Sequence, residues 1–208
     1  MERKFKILRL TLGSYATNCY ILFSNKEAII IDPAAEAEKI IKAIEDNNLK
    51  PIKILLTHAH PDHFGALDEV RNHFGLEAYI SKNDEEMLER RSKELNRMLG
   101  INSYLKAEHY YSEGDIINFS GGDIRVLETP GHTPGGVCLL IDDILISGDT
   151  LFYGSIGRTD LPGGDYDTLM SSLKKLTNLN DNILVLPGHG QETQIGFEKI
   201  YNPFLQRL

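Results

Sequence analysis

Three histidines and an aspartate fall within six consecutive positions in Thr57-His58-Ala59-His60-Pro61-Asp62-His63, directly after the apolar run Ile52-Lys53-Ile54-Leu55-Leu56. Titratable side chains crowded into a partly dry site cost free energy unless something compensates them, and a divalent cation compensates all four at once. The run therefore predicts metal chemistry. Three further sites share its setting. His132 lies in Thr129-Pro130-Gly131-His132-Thr133-Pro134-Gly135-Gly136, Asp149 in Ser147-Gly148-Asp149-Thr150, and His189 in Pro187-Gly188-His189-Gly190. Each follows an apolar run that reads as a strand, and rigid strand ends are where open sheets assemble sites. An isolated His132 or His189 would read as an ordinary loop histidine, but together with the first run the set does not. Five of the seven histidines are thus used. His73, near a helix C-terminus where a cation is favourable, and His109 read as structural. Nitrogen and oxygen donors without thiolate suit zinc, iron or manganese, with zinc favoured by affinity.

The elements that must position these groups follow from periodicity. Phe5 to Leu12, Cys19 to Phe23 and Ala28 to Ile31 are alternating or apolar runs separated by Gly13-Ser14 and Ser24-Asn25, the pattern of a strand meander. Ala37, Ile40, Ile41 and Ile44 then fall at helical spacing. Ile52 to Leu56 reads as a buried strand, and Leu67, Val70 and Phe74 as a helix, so the histidine run bridges a strand end and a helix start. Glu77 to Ser81 predicts a strand and Asn83 to about Arg91 a polar helix. Ser92 to Tyr111 is ambiguous. Strands return at Ile116 to Phe119, Ile124 to Glu128, Val137 to Ile141 and Ile144 to Ser147. A helix follows over Asp165 to Leu176, a last strand over Ile183 to Leu186, and a short helix near Ile195 to Tyr201. Two similar halves are expected, each a sheet with helices on one side.

With 208 residues, 41% of them hydrophobic, the chain can bury one sizeable core and is expected to form a single domain over 1–208. A net charge of −8 with no long basic block argues against nucleic acid and against an anionic membrane as partners. Neither a secretory core nor an 18-residue apolar run occurs, so a cytoplasmic location is expected. Cys19 and Cys138 are too few for a disulfide framework or a four-thiolate zinc cage and read as buried apolar residues.

On these motifs the chain resembles the metallo-β-lactamase superfamily, and more closely its glyoxalase II-related branch, from the strands before Asp32 through Asn202-Pro203-Phe204. The resemblance implies an α/β fold, a four-layer αβ/βα sandwich of two mixed sheets with helices on the outer faces. It implies two divalent metal ions, the first held by His58, His60 and His132, the second by Asp62, His63 and His189, with Asp149 bridging. Two metals so placed can lower the pKa of a shared water from about 15.7 toward about 7 and polarise a carbonyl. A thiolate, whose acid has a pKa of about 8.5, then departs with little help from a general acid. The implied activity is thioester hydrolysis of a small molecule, with Asp149 positioning the metals and Asp62 a candidate proton acceptor.

Departures from glyoxalase II itself refine this. Arg158 matches in charge a lysine that meets glutathione there, but Asp160 stands where a tyrosine is expected. Twelve residues separate His189 from Asn202, so the C-terminal helical region of glyoxalase II is essentially absent and the chain is similar to the short bacterial hydrolases. Arg158 and Tyr153 are the candidate substrate-binding residues, and the Met98 to Tyr111 stretch could also border the substrate or belong to the core. The alternative on the same scaffold is a persulfide dioxygenase with one iron held by His58, His132 and Asp149, a facial triad that suits oxygen activation.

Overall fold

The computed structural model describes residues 4–98 and 104–207. Leu99, within the ambiguous Met98 to Tyr111 stretch, therefore lies outside the described residues. The first half contains β1 (Lys6–Leu12), β2 (Thr17–Ser24), β3 (Glu27–Ile31), α1 (Ala37–Asp46), β4 (Lys50–Leu55), α2 (Pro61–Phe64), α3 (Leu67–Phe74), β5 (Ala78–Ser81), α4 (Glu85–Met98) and β6 (His109–Tyr111). The second contains β7 (Ile116–Phe119), β8 (Gly122–Glu128), β9 (Val137–Ile141), β10 (Ile144–Gly148), β11 (Leu151–Phe152), β12 (Ser155–Ile156), α5 (Tyr166–Leu176), β13 (Leu184–Pro187), β14 (Thr193–Gln194) and α6 (Ile195–Tyr201).

Two six-stranded mixed sheets result, ordered β1-β2-β3-β4-β5-β6 and β14-β13-β10-β9-β8-β7, with β11 and β12 as a small separate hairpin. Local chemistry explains several joints. Asn25 and Lys26 both take positive φ between β2 and β3, the two-residue turn whose twist matches an antiparallel hairpin. At the start of α5 the Asp165 side chain accepts the Thr168 amide at 2.8 Å, and Lys174 and Lys175 occupy the last turn.

Alternation along the strands sorts side chains into three buried layers. In β3, Ala28 and Ile30 face the helices, whereas Ile29 and Ile31 face the other sheet. The first layer packs β2, β3 and β4 against Ile40 and Ile44 of α1, Leu67 and Val70 of α3, and Leu88 of α4. The middle layer joins the sheets through Tyr20, Leu22, Ile29, Ile31 and Leu55 on one side and Val126, Leu139, Ile144 and Ile146 on the other. The third covers Cys138, Leu145 and Val185 with Leu169, Leu173 and Leu176 of α5 and Ile195 of α6. The architecture is the expected four-layer sandwich, and both cysteines are buried free thiols.

Some elements differ from the sequence expectation. The polar helix expected to end near Arg91 continues to Met98. Ser92, whose hydroxyl would suit a helix end, instead uses Oγ to accept the Leu105 amide at 2.8 Å from beyond the helix. His109, placed in an irregular segment by its sequence, starts β6 parallel to β5, stacks on Tyr79 and lies 2.8 Å from Glu77. Among the described residues no helix is long and apolar enough to cross a membrane.

Candidate metal centre

The histidine run leaves the end of β4 and enters α2, where Pro61 occupies the first turn with its locked φ and no donor to satisfy. This places His58 and His60 on the connection and Asp62 and His63 on the turn. His132 follows β8, Asp149 follows β10, and His189 follows β13. All seven side chains come together where the two sheets meet. Nitrogen atoms of His58, His60 and His132 lie within 4.8 Å of one another, and so do ligand atoms of Asp62, His63 and His189. Asp149 stands between the groups: its Oδ1 is 3.3 Å from His63 Nε2, and its Oδ2 is 3.5 Å from both His132 Nε2 and His189 Nε2.

Hydrogen-bond partners fix which nitrogen each ring turns inward. His132 Nδ1 donates to the Arg158 carbonyl at 2.7 Å and His189 Nδ1 to the Tyr15 carbonyl at 3.1 Å. A carbonyl only accepts, so both rings carry a proton on Nδ1 and direct Nε2 at the centre. Thr57 Oγ1 gives its single proton to Asp32 Oδ2 at 2.6 Å, so it accepts from His58 Nδ1 at 3.0 Å, and His58 Nε2 is likewise free. His63 Nδ1 is held by Asp32 Oδ2 at 2.9 Å. His60 is turned the other way, its Nδ1 2.9 Å from His132 Nε2.

Three buried atoms of these side chains, His58 Nε2, His60 Nε2 and Asp149 Oδ1, have no hydrogen-bond partner among the described residues. Buried polar atoms are normally satisfied. Five imidazoles gathered with two carboxylates form a donor set that, once deprotonated, fits divalent cations of the zinc, iron and manganese type. Asp32 also approaches His58 and His63 closely enough to be a ligand, but its oxygens are engaged by the Thr57 amide, the Thr57 hydroxyl and His63. It orients ligands and is not itself free to be one.

The electrostatics agree. Burial, then the neighbouring His63, holds the His58 pKa well below its ordinary value; burial and His132 lower His60 to about 4. Burial opposes charge on His63 and His189 too, but there Asp149 outweighs it, helped by Asp32 at His63 and Asp62 at His189. His63 is raised well above its ordinary value and His189 to about 9. The same contacts outweigh burial at Asp149 and hold its carboxyl well below the usual range; at Asp62, His189 and His63 lower the pKa. The centre thus balances two carboxylates with protons that a cation would replace.

Residues that the sequence reading passed over hold this geometry. Asp32, with φ 51° after β3, and Asp84, fully buried ahead of α4, are both in left-over acidic positions of the sequence. Asp84 accepts the Ala59 amide at 2.9 Å, the Thr133 hydroxyl at 2.8 Å and the Gly135 amide at 2.6 Å, tying the first histidine loop to the His132 loop. Thr17 Oγ1 donates to Asp62 Oδ2 at 3.1 Å. From β2, Asn18 donates its amide to the Gly188 carbonyl at 2.7 Å and its side chain to the Pro187 and Gly190 carbonyls, both at 3.0 Å. A Cβ on Gly188 would collide with Asp149 Oδ1, which explains glycine beside His189.

In front of the ligands opens a cavity of about 820 Å³, lined by His60, Asp62, His132, Asp149 and His189 and by the apolar Phe152, Ile156 and Leu161. Tyr153 and Arg158 line it as well. Tyr153 stacks on Phe197 of α6 with centroids 5.1 Å apart. Arg158 is paired through Nε and Nη2 to both oxygens of Asp160, at 2.7 and 2.6 Å. Asn202, from the Asn-Pro-Phe segment, donates to the Ser155 carbonyl at 3.1 Å and to buried Glu198 at 2.7 Å, so that α6 braces the β11–β12 hairpin beside the cavity.

The chain is similar to known proteins over most of its length. The family model for the metallo-beta-lactamase superfamily matches residues 12–189. The chain is 43% identical over 202 residues to a probable metallo-hydrolase, YqgX, of Bacillus subtilis (strain 168), covering 95% of this chain and 96% of that one. It is 41% identical over 203 residues to the hydroxyacylglutathione hydrolase GloC of Haemophilus influenzae (strain ATCC 51907 / DSM 11121 / KW20 / Rd), with 94% and 96% covered. Among solved structures, the BLEG-1 B3 metallo-beta-lactamase superposes with a TM-score of 0.88 at 39% identity, covering 96% of this chain and 99% of that one. TTHA1623, solved in a di-iron-bound form, superposes with a TM-score of 0.85 at 36% identity, with 95% and 100% covered.

Proposed function

This chain belongs to the metallo-beta-lactamase superfamily, and from that premise we propose that it is a dinuclear metal-dependent hydrolase of small-molecule thioesters, acting in the cytoplasm. The observation that carries the dinuclear reading is Asp149, within 3.5 Å of His132 on one side and of His63 and His189 on the other. His58, His60 and His132 would hold one cation, Asp62, His63 and His189 the other, and Asp149 both. Zinc suits the donor set, and so does iron, the metal of the di-iron relative. Bound there, two cations would supply an acidified water and a Lewis acid for the acyl carbonyl.

The chain's own residues do the rest. Thr17 and His189 fix the Asp62 carboxylate, with contacts of 3.1 and 3.2 Å, at the edge of the cavity, where it can take a proton once attack has occurred. The apolar wall of Phe152, Ile156 and Leu161 shields the reacting carbonyl from bulk water. Neither cysteine is poised as a nucleophile: Cys19 and Cys138 are buried, and burial raises both thiol pKa values, that of Cys138 to about 11. A thiolate leaving group needs little protonation at neutral pH, which favours a thioester substrate. Likeness to a hydroxyacylglutathione hydrolase supports the same substrate class.

The test is metal analysis of the purified protein beside parallel assays on lactoylglutathione, a β-lactam and glutathione persulfide. Close to two metals per chain with thioester turnover dominant is the expected outcome. A persistent single iron with oxygen uptake on the persulfide would replace this reading with the dioxygenase, and dominant β-lactam turnover would replace the substrate class.

A further inference from the structure

The cavity holds two guanidinium groups that arrive from different walls. Arg158 follows β12, is well exposed, and has the long edge of its fork closed by Asp160. Arg91 comes from α4, which packs against the α2 turn that carries Asp62. Its side chain is only 24% exposed, and its one ion pair among the described residues is Nη1 to Glu94 Oε2 at 3.1 Å, one helical turn on, with Glu94 itself 55% exposed. The Arg91 Nε is buried and has no acceptor among the described residues.

A guanidinium has five donors in a planar fork. One of Arg91's donors is answered by a water-facing carboxylate, and the buried Nε–H has no acceptor among the described residues. Leaving such a donor unmet is unfavourable, so the guanidinium gains from a ligand that draws it out into the cavity. The fork matches a planar carboxylate, which takes two parallel charge-assisted bonds.

We propose that Arg91 is a specificity-determining residue that grips a carboxylate of the substrate, making the substrate class an anionic thioester with its charge on either the thiol or the acyl half. This rests on the thioester reading above. Arg158, already committed to Asp160, contributes less.

The test compares metal-loaded wild type with Arg91→Ala and Arg91→Lys on three thioesters: lactoylglutathione, charged on the thiol half; succinyl-N-acetylcysteamine, charged on the acyl half; and neutral acetyl-N-acetylcysteamine. Metal content and melting temperature are checked for each variant. The preference for a charged over the neutral thioester, as a ratio of kcat/KM, is expected to fall by about tenfold to a hundredfold in Arg91→Ala, chiefly through KM. Arg91→Lys restores part of it, because charge survives without the fork. Whichever charged thioester responds identifies the half that is gripped. Unaltered preference for both overturns the proposal. Calorimetry with two thioether pairs, S-hexylglutathione against its diamide for the thiol half and S-(3-carboxypropyl)-N-acetylcysteamine against its amide for the acyl half, supplies a reading independent of turnover: wild type should favour the charged ligand of at least one pair and Arg91→Ala should not. If wild type hydrolyses no thioester, the functional reading fails while the calorimetry still decides Arg91, and equal binding within both pairs by wild type sinks it.

Discussion

At the scale of single residues, the ligands and the groups that aim them differ in how plainly they show. His58, His60, Asp62 and His63 declare themselves because four donors in six positions have few structural uses. Asp32 does not, although His63 depends on it, because its partners Thr57 and His63 lie 25 and 31 residues away and nothing in its own neighbourhood marks it. Its role makes a sharp prediction. Asp32→Asn keeps the positive φ of 51°, which asparagine tolerates, but turns an amide toward groups that must donate. Metal affinity at the Asp62, His63 and His189 group should fall by roughly 10–100-fold, as read by competition with a chromogenic chelator. Affinity equal to wild type would remove Asp32 from the ligand-orienting set. Arg91 was invisible for a different reason: in Glu89-Arg90-Arg91-Ser92 it looks like any solvated helix charge, and only packing of α4 on α2 brings it to the cavity.

Among elements, the alternation of β1 to β5 and β7 to β10 and the helical spacing of α1, α3 and α5 were readable because each buries a regular face. The hairpin β11–β12 and the strand β14 are two residues per strand, too short for any period to register. Extension of α4 to Met98 depends on Ser92 meeting Leu105 across a gap in sequence, which local propensity does not encode. What joins these elements at the centre is Asp84, whose two oxygens accept three donors from the loops after β4 and β8. Asp84→Asn places an amide against those donors and should cost about 1–3 kcal/mol, measured by urea unfolding. The loss should come with weaker metal binding, since both histidine loops are released together. Unfolding that matches wild type would show that the loops hold each other without it.

For the whole molecule, the ligands belong to both sheets, so protonation of the centre bears on global stability. His189 has its pKa raised to about 9 against 6.5 unfolded, and His63 is raised as well. A raised histidine contributes stability that is fully present below the unfolded pKa and is lost as pH rises through the folded one. Chelator-treated protein should therefore become less resistant to denaturant between about pH 6.5 and 9, whereas the loaded protein should not follow that slope, because cations stand where the protons were. Parallel slopes for the two forms, in matched denaturation series, would argue against proton and metal competing for these rings. The two-sheet architecture was legible from the repeated order of strands and helices, but the joint between sheets was not: it consists of β2 backbone and side-chain bonds to Pro187, Gly188 and Gly190.

That joint also sets an order of events during synthesis. Asn18 emerges early, yet the carbonyls it must bond follow 169 and 172 residues later, and the same loop brings His189 to Asp62 across 126 intervening residues. Contacts of such long range form late. Until they do, the first four donors exist as an open fragment without His132, Asp149 or His189, so a nascent chain has no place to retain a cation tightly. Tight retention of a cation thus requires that the chain has been made and folded through His189.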